Sequence, residues 1–300
     1  MSVSSLALEN RRASAVVRAW DYLELTKPKI AALELVTVAV AAAIASWGML
    51  DPWVLAHALI GTALVAASAS AFNQLIERRV DARMERTADR PLPAGRLTAT
   101  EVATFGVITC VAGVAYLGLA VGLPTALCGL MTWFLYVGVY TPMKTRTPLN
   151  TVVGAVAGAG PVLMGWTAAG APLNLSAATL FMIVFLWQFP HFMAIAWIYR
   201  RQYAAAGLKM LPVVDATGRR AGAQAVSAAL ALVPVSLLPA VIGAAGPVYF
   251  AWALLLGLAQ LACAVWFAWR MNETTARWLL RASLVYLPAV LAMMVAAPLL

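Results

Sequence analysis

Nine apolar stretches separated by short polar connections constrain this chain more than any other feature of its sequence. A helix needs about 20 residues to cross the roughly 30 Å of hydrocarbon in a bilayer. The predicted spans are residues 30–48, 54–72, 101–119, 124–140, 151–168, 177–199, 221–241, 247–269 and 279–298. With 63% hydrophobic and 11% charged residues, the chain has too few polar side chains to cover a water-soluble globule. We therefore expect an all-α, polytopic membrane helical bundle.

The positions of the basic residues provide an independent test of these spans. All 21 Lys and Arg residues fall in the N-terminal segment or in every second connection. The connections at 49–53, 120–123, 169–176 and 242–246 contain none. If one span had been missed or added, the later basic residues would fall on the opposite side of the membrane, and the one-sided distribution would be lost. Because cytosolic connections are enriched in Lys and Arg, we expect a cytosolic N-terminus and a C-terminus on the outer side.

The net charge of +9 follows from this topology and from attraction to anionic lipid headgroups, so a nucleic-acid partner is not needed to explain it.

Cys110, Cys128 and Cys263 lie in or beside apolar spans, without the paired spacing of a disulfide or zinc site. We expect them to be small buried hydrophobic residues. Residues 1–29 lack an apolar signal core and are predicted to be a cytosolic tail, followed by one transmembrane domain over 30–300. The short tail favours a bacterial inner membrane.

The connection after the second span begins with polar residues at helical spacing. Asn73, Glu77 and Asp81 are four residues apart, so on a helix they share one face. Oxygen ligands on one face suit Mg²⁺, and the neighbouring Arg78 and Arg86 suit a diphosphate. The alternative is a solvated, ion-paired extension of the helix. An amide at the membrane edge favours the site, because it needs a polar partner there.

Two further connections on the same side are rich in hydrogen-bond donors. Lys144 and Arg146 suit phosphate oxygens, although topology alone also places basic residues there. His191 follows Pro190 inside an apolar helix. It is either a hydrogen-bonded structural residue or a functional group, since ionisable residues within membrane spans are usually functional.

These segments resemble the protohaem IX farnesyltransferases, the haem O synthase branch of the intramembrane aromatic prenyltransferase superfamily. The resemblance covers most of the chain and rests on Leu25-Thr26-Lys27-Pro28-Lys29, the Asn73 to Thr87 motif, Arg90-Pro91-Leu92-Pro93, Tyr140-Thr141, Lys144, Arg146-Thr147, Asn150, Gly165-Trp166, Trp187-Gln188-Phe189-Pro190-His191-Phe192, Tyr203 and Met210-Leu211-Pro212. The acidic motif alone does not choose a substrate. Met84-Glu85-Arg86-Thr87 and the segment from Trp187 to Phe192 are similar to the haem branch specifically.

The resemblance implies a bundle of nine helices around a central cavity that opens near the cytosolic face. It implies transfer of a farnesyl group from farnesyl diphosphate to a vinyl carbon of haem b, with water adding a hydroxyl, to give haem O. By matching position, the motif Asn73, Glu77 and Asp81 would hold Mg²⁺ on the diphosphate. The cations Arg86, Lys144 and Arg146 would neutralise the diphosphate oxygens.

Other matching positions imply further contacts and two departures from the family. Trp187 and His191 would face the haem or the prenyl chain. Glu77 stands where the family more often has Asp, which lengthens the reach of the carboxylate by one methylene. Gln202 stands before Tyr203, where the family's second metal motif has an acidic residue. A second Mg²⁺ there would need another charged ligand, such as Asp215.

Some assignments stay open in the sequence. Glu34 lies inside the first span, where it either pairs with a neighbouring helix or contacts a cation in the cavity. Another acceptor, such as a quinone precursor, is the alternative within enzymes. A secondary transporter is the alternative outside them, but its polar residues would lie near the membrane midplane. The sequence also leaves open whether the product passes directly to a haem A synthase or an oxidase assembly partner.

Overall fold

The computed structural model describes residues 16–47, 49 and 51–297. Nine helices in this part of the chain are long and apolar enough to cross a membrane. They are α1 (Pro28–Ser46), α2 (Pro52–Asp81), α3 (Ala99–Ala120), α4 (Leu123–Met143), α5 (Asn150–Ala168), α6 (Leu175–Ile198), α7 (Arg219–Val241), α8 (Pro247–Arg270) and α9 (Glu273–Ala296). The predicted all-α membrane bundle is therefore confirmed. Each helix begins and ends within about three residues of its predicted span, except that α2 continues to Asp81 and α9 begins at Glu273.

Local sequence signals set where several of these helices begin. Thr98 and Glu101 form a capping box at the start of α3, in which the Glu101 amide donates to Thr98 Oγ1 at 3.2 Å and the Thr98 amide donates to Glu101 Oε2 at 2.8 Å. The side chains of Asn174 and Asn272 accept backbone hydrogen bonds in the first turns of α6 and α9. These contacts satisfy amides that have no partner within the helix.

Helix α2 continues past its apolar span into the charged motif, as predicted, and ends at Asp81. Arg78 and Arg79 lie in its last turn, where positive charge is favourable beside the C-terminal end of the helix dipole. Asn73, Glu77 and Asp81 share one face and are only 1%, 8% and 1% exposed. The alternative of a fully solvated helix extension is therefore wrong for these three side chains.

Helix α4 widens into a π-helical segment over Leu135–Tyr140, directly before Pro142. Pro142 has no backbone amide to donate, and the preceding Thr141 donates both its backbone amide and its hydroxyl to the Tyr136 carbonyl, the hydroxyl at 2.8 Å. Single π turns of this kind occur frequently at functional sites. Here the segment carries Tyr136 and Tyr140, which both line the central cavity.

Helices α5 and α6 occupy the centre of the bundle. Helix α5 packs on α1, α4 and α6, while α6 also packs on α7 and α9. The small residues of α5 divide into two groups. Ala155 and Ala159 are buried against neighbouring helices, whereas Gly154, Ala157 and Gly158 line the cavity. Small residues in α5 thus serve both close packing and the formation of a cavity.

The described part of the N-terminal tail packs on the bundle. Residues 16–25 are helical. Arg96 donates to Asp21 at 2.6 Å, and Gln74 donates to the Leu25 carbonyl at 2.8 Å. Leu25 is fully buried beside Ala71 of α2 and other apolar residues. These contacts hold the start of α1 close to the inner part of α2. Residues 1–15 lie outside the described residues.

We expect the close approach of α5 to α1 to depend on Gly165. A Cβ atom at this position would lie 2.2 Å from the Val38 carbonyl oxygen. Gly165→Ala should therefore push the two helices apart and destabilise the fold by about 1–3 kcal/mol. Gly118→Ala is the matched control, because a Cβ there would make an ordinary 3.7 Å contact with Ala126. Thermal unfolding in detergent should show a lower Tm for the first variant alone; equal Tm values for both would contradict the packing described.

Candidate active site

A cavity of about 380 Å³ lies among α1, α2, α4, α5 and α6. Charged and amide side chains gather where α1 begins and α2 ends, namely Lys27, Asn73, Glu77, Asp81, Arg86, Arg90, Lys144 and Asn150. Away from this charged end, the residues that α2, α4 and α5 contribute to the lining are mostly apolar, namely Val65, Ala66, Ala69, Trp133, Ala157, Pro161 and Met164. The cavity therefore suits a ligand that joins a highly charged group to a hydrocarbon chain.

Asn73 connects three parts of the chain at the charged end of the cavity. Lys27 Nζ donates to Asn73 Oδ1 at 2.6 Å, and Asn73 Nδ2 donates to Thr141 Oγ1 at 3.1 Å. Lys27 lies just before α1 with a left-handed backbone, at φ 52°. The amide at the membrane edge thus has the polar partners that its position requires.

The two carboxylates of the motif are each paired with a basic residue from another segment. Lys144 Nζ lies 2.8 Å from Glu77 Oε1, and Arg90 donates to Asp81 Oδ2 at 2.7 Å. The Asp81 side chain is 1% exposed. Buried charges of this kind require pairing, because water no longer solvates them. Each of the three motif residues therefore holds one cationic side chain at the mouth of the cavity.

Electrostatics at this end of the cavity favour an anionic ligand. Burial, together with the positive charges of Arg90 and Lys144, lowers the pKa of the Lys27 ammonium to about 7. Burial also opposes the charge of Lys144, but Glu77, Tyr140 and Tyr136 together outweigh it and raise the pKa of Lys144 above its usual value. A bound anion would offset the repulsion between Lys27 and the neighbouring cations. It would therefore raise the pKa of Lys27 and favour its charged form.

The donor set at the motif suits Mg²⁺ when a ligand completes it. Among the described residues, no three His, Cys, Asp or Glu side chains form a ready-made metal cluster. Asn73, Glu77 and Asp81 supply an amide and two carboxylates, and Mg²⁺ commonly takes one or two protein carboxylates together with phosphate oxygens and water. Asn150 Oδ1 and Thr151 Oγ1 are buried in the cavity wall and have no hydrogen-bond partner among the described residues.

The remaining predicted diphosphate-binding and cofactor-binding residues divide into two groups. Arg86 and Tyr203 line the cavity, and the Arg86 guanidinium lies over the Tyr199 ring at 5.1 Å from its centroid. Arg78 and Arg146 are exposed, and neither they nor Gln202 line the cavity. Lys144 and Arg146 occupy the same connection, yet only Lys144 contacts the motif.

Trp187 and His191 lie between α6 and α9, and neither lines the cavity. His191 Nδ1 is 2.9 Å from Ser283 Oγ, and Trp187 Nε1 donates to the Ser283 carbonyl at 2.7 Å. The two rings stack with centroids 4.8 Å apart. From the same segment, Gln188 does line the cavity and donates to the Ala155 carbonyl at 2.9 Å. Contact of Trp187 and His191 with haem or the prenyl chain stays a prediction.

The cavity and its charged mouth can be compared with known proteins. The sequence profile of the UbiA prenyltransferase family matches residues 35–294 of this chain. The chain belongs to the UbiA prenyltransferase family. The protoheme IX farnesyltransferase of Solibacter usitatus is 44% identical over 283 residues, which cover 91% of this chain and 97% of that protein. The protoheme IX farnesyltransferase of Rhodopirellula baltica is 44% identical over 280 residues, which cover 91% and 98%.

Solved structures of UbiA-type enzymes share the fold. A structure of digeranylgeranylglyceryl phosphate synthase superposes with a TM-score of 0.80 at 16% identity and covers 93% of this chain and 98% of that chain. A UbiA homolog from Archaeoglobus fulgidus bound to GPP and Mg²⁺ superposes with a TM-score of 0.64 at 17% identity and covers 91% and 99%. The nine-helix arrangement around the cavity is thus that of an intramembrane prenyltransferase.

Two site residues of this UbiA-family protein, Lys27 and Arg90, were not predicted from their own sequence pattern. Each directly precedes a proline, in Lys27-Pro28 and Arg90-Pro91. Lys27 reaches the motif from the start of α1, and Arg90 reaches it from the connection that follows α2. The resemblance included both segments but gave them no role. A basic residue before a proline at the membrane edge is the signal that could have identified them.

Asp215 does not supply the missing acidic ligand beside Gln202. Its carboxylate accepts hydrogen bonds from Thr217 Oγ1 at 2.6 Å and from the Arg220 amide at 2.9 Å. These hydrogen bonds, that from Thr217 foremost, lower the pKa of Asp215. The residue is partly exposed and does not line the cavity. In this UbiA-family protein, Asp215 therefore stabilises the start of α7.

We expect Lys27→Met to weaken binding of inorganic pyrophosphate, measured in the presence of Mg²⁺, by about 10-fold to 100-fold. A charge-assisted hydrogen bond, here from the Lys27 ammonium to a phosphate oxygen, contributes about 1.5–3 kcal/mol. Lys29→Met is the matched control, since Lys29 is exposed and does not line the cavity. Isothermal titration calorimetry measures the pyrophosphate affinity of each detergent-purified variant in the presence of Mg²⁺. A similar loss in the two variants would show that general positive charge, rather than the position of Lys27, controls binding.

Proposed function

We propose that this protein transfers the farnesyl group of farnesyl diphosphate to a vinyl carbon of haem b, with addition of water, to give haem O and diphosphate. The observation that supports this most directly is the cavity with a charged mouth and an apolar interior. Relatives at 44% identity named protoheme IX farnesyltransferase support the choice of both substrates. Haem b and farnesyl diphosphate are substrates here, and Mg²⁺ is the implied cofactor.

The charged mouth is proposed to bind the diphosphate. Asn73, Glu77 and Asp81 would hold Mg²⁺, which supplies positive charge to the leaving oxygens as the bond to the farnesyl C1 breaks. Their present partners are Lys27, Lys144 and Arg90, whose flexible side chains can donate to phosphate oxygens instead. The residues that now balance the acidic motif would thereby neutralise the diphosphate, together with Arg86.

The apolar part of the cavity is proposed to hold the farnesyl chain and one edge of the acceptor. Loss of diphosphate leaves positive charge on an allylic carbon. Trp133, Tyr136 and Tyr140 line the cavity, and aromatic faces attract cations, most strongly where water is excluded. The same apolar lining limits access of water to the allylic cation before the vinyl group reacts.

The chain is a multi-pass membrane protein with relatives in bacteria. We propose that it lies in the bacterial inner membrane with its N-terminus in the cytosol. Cytosolic connections are enriched in Lys and Arg, and the connections on the side opposite the N-terminus contain neither. This orientation places the charged mouth of the cavity on the cytosolic side. A soluble diphosphate could then reach the Asn73, Glu77 and Asp81 motif directly from the cytosol.

The proposed activity is tested by incubating the purified protein in detergent with haem b, farnesyl diphosphate and Mg²⁺. We expect haem O in the products by mass spectrometry, and its loss when EDTA replaces Mg²⁺. A parallel reaction with 4-hydroxybenzoate tests a quinone-precursor acceptor. Prenylation of this compound without formation of haem O would overturn the proposed acceptor while leaving the prenyltransferase assignment intact.

Asp81→Asn is expected to lower kcat by about 100-fold or more, because it removes a charge that acts on the developing anion. Asp89→Asn is the matched control, since Asp89 is exposed and does not line the cavity. Haem O formation is measured for both, with size-exclusion profiles to compare folding. Full activity in a folded Asp81→Asn protein would exclude the metal-binding role of the motif.

A further inference from the structure

One carboxylate in the cavity has no role in binding the diphosphate. Among the described residues, three acidic side chains line the cavity: Glu34, Glu77 and Asp81. Glu77 and Asp81 are paired with Lys144 and Arg90. Glu34, by contrast, makes no ion pair or side-chain hydrogen bond with any described residue. It lies inside a membrane-spanning helix, where an unpaired carboxyl group is costly and usually marks a functional position.

The depth of Glu34 places it near the reacting carbons. It lies in the second turn of α1, seven residues after Lys27 and about 10 Å farther along the helix axis. Helical side chains slant toward the N-terminus of their helix, and α1 begins at the charged mouth. The carboxyl group therefore lies between the level of the diphosphate and the apolar interior. This is where C1 of the farnesyl group and the haem vinyl group must meet.

Other polar groups line the cavity near this level. Ser70 lies one turn before Asn73 on α2, and Tyr136 lies in the π-helical segment of α4. Both line the cavity together with Glu34. An ordered water inside a protein needs two to four polar partners. Glu34, Ser70 and Tyr136 are polar side chains of the cavity wall that can supply such partners.

The proposed reaction requires a water molecule at this level. The π electrons of the vinyl group bond to C1 of farnesyl as the C1–O bond breaks, and the electron pair of that bond leaves with the diphosphate. The vinyl carbon attached to the pyrrole ring becomes a cation. A water oxygen then bonds to this carbon and the water must lose one proton. If water is not activated, the cation instead loses a proton from carbon and gives an alkene.

We infer that Glu34 is the general base of this step: it holds the attacking water and accepts its proton. The inference rests on the proposed function and extends it, because it assigns the hydroxylation to a residue separate from the diphosphate site. Glu34 touches the reacting water and not the leaving group. Its removal should therefore change which product forms more than it changes how fast farnesyl is transferred.

The test is the product ratio of Glu34→Gln, which keeps the size of the side chain but removes the base. Farnesylated haem that lacks the added water is lighter than haem O by one water and is separated by liquid chromatography and mass spectrometry. We expect the ratio of this alkene to haem O to rise by about tenfold or more, since a positioned base typically contributes a factor of 100 or above. Consumption of farnesyl diphosphate should fall less.

Two further variants give the comparison its controls. Glu34→Asp keeps the carboxylate but retracts it by one methylene, so an intermediate ratio is expected; it also provides the same test if Glu34→Gln is not recovered as a folded protein. Glu85→Gln removes an exposed carboxylate that does not line the cavity and should leave the ratio unchanged.

The remaining outcomes overturn the inference in distinguishable ways. If Glu34→Gln slows turnover but leaves the product ratio at the wild-type value, Glu34 stabilises the fold or the allylic cation and is not the base. If both rate and ratio are unchanged, Glu34 has no part in the reaction. If the wild-type protein forms no farnesylated haem at all, the proposed function fails, and the inference fails with it.

Discussion

The burial of Asn73, Glu77 and Asp81 on one face of α2 is the constraint on which the rest of the site depends. Two carboxylates cannot be withdrawn from water at the membrane edge without positive charge beside them. The fold supplies that charge from three separate segments, through Lys27, Lys144 and Arg90. Each cation must be brought within about 3 Å of its partner. The arrangement of the connections at this end of the bundle follows from this requirement.

The same charge balance explains how the site can bind its ligand. Glu77 and Asp81 are paired with Lys144 and Arg90 before substrate binds, and Mg²⁺ with a diphosphate would bring further charges of both signs. Exchange of partners then costs less than charging an empty apolar cavity would. The flexible lysine and arginine side chains are suited to such an exchange, because they can move between carboxylate and phosphate oxygens without a change in the backbone.

Polarity along the cavity separates two stages of chemistry. In the proposed reaction, the diphosphate would depart at the charged mouth, and the bond to the acceptor would form where the lining is apolar. Glu34 is the exception to this division, since it puts a carboxylate in the membrane-spanning part of the cavity. A prenyltransferase that only joins two carbon atoms has no need of a base there. The addition of water to the product gives this residue a chemical reason to be present.

The spans and the acidic motif could both be predicted from the sequence, because each depends on local physics. A bilayer requires about 20 apolar residues for each helix, and residues four apart on one helix share a face wherever that helix lies. The basic partners of Asn73, Glu77 and Asp81 could not be predicted in this way. Lys144 and Arg146 are both basic and two residues apart, yet only Lys144 lies in the cavity. Lys27 meets Asn73 only because residues 16–25 and α1 pack beside α2. Periodicity determines which residues of one helix lie together, while contacts between helices depend on packing of the whole bundle, which only the tertiary structure decides.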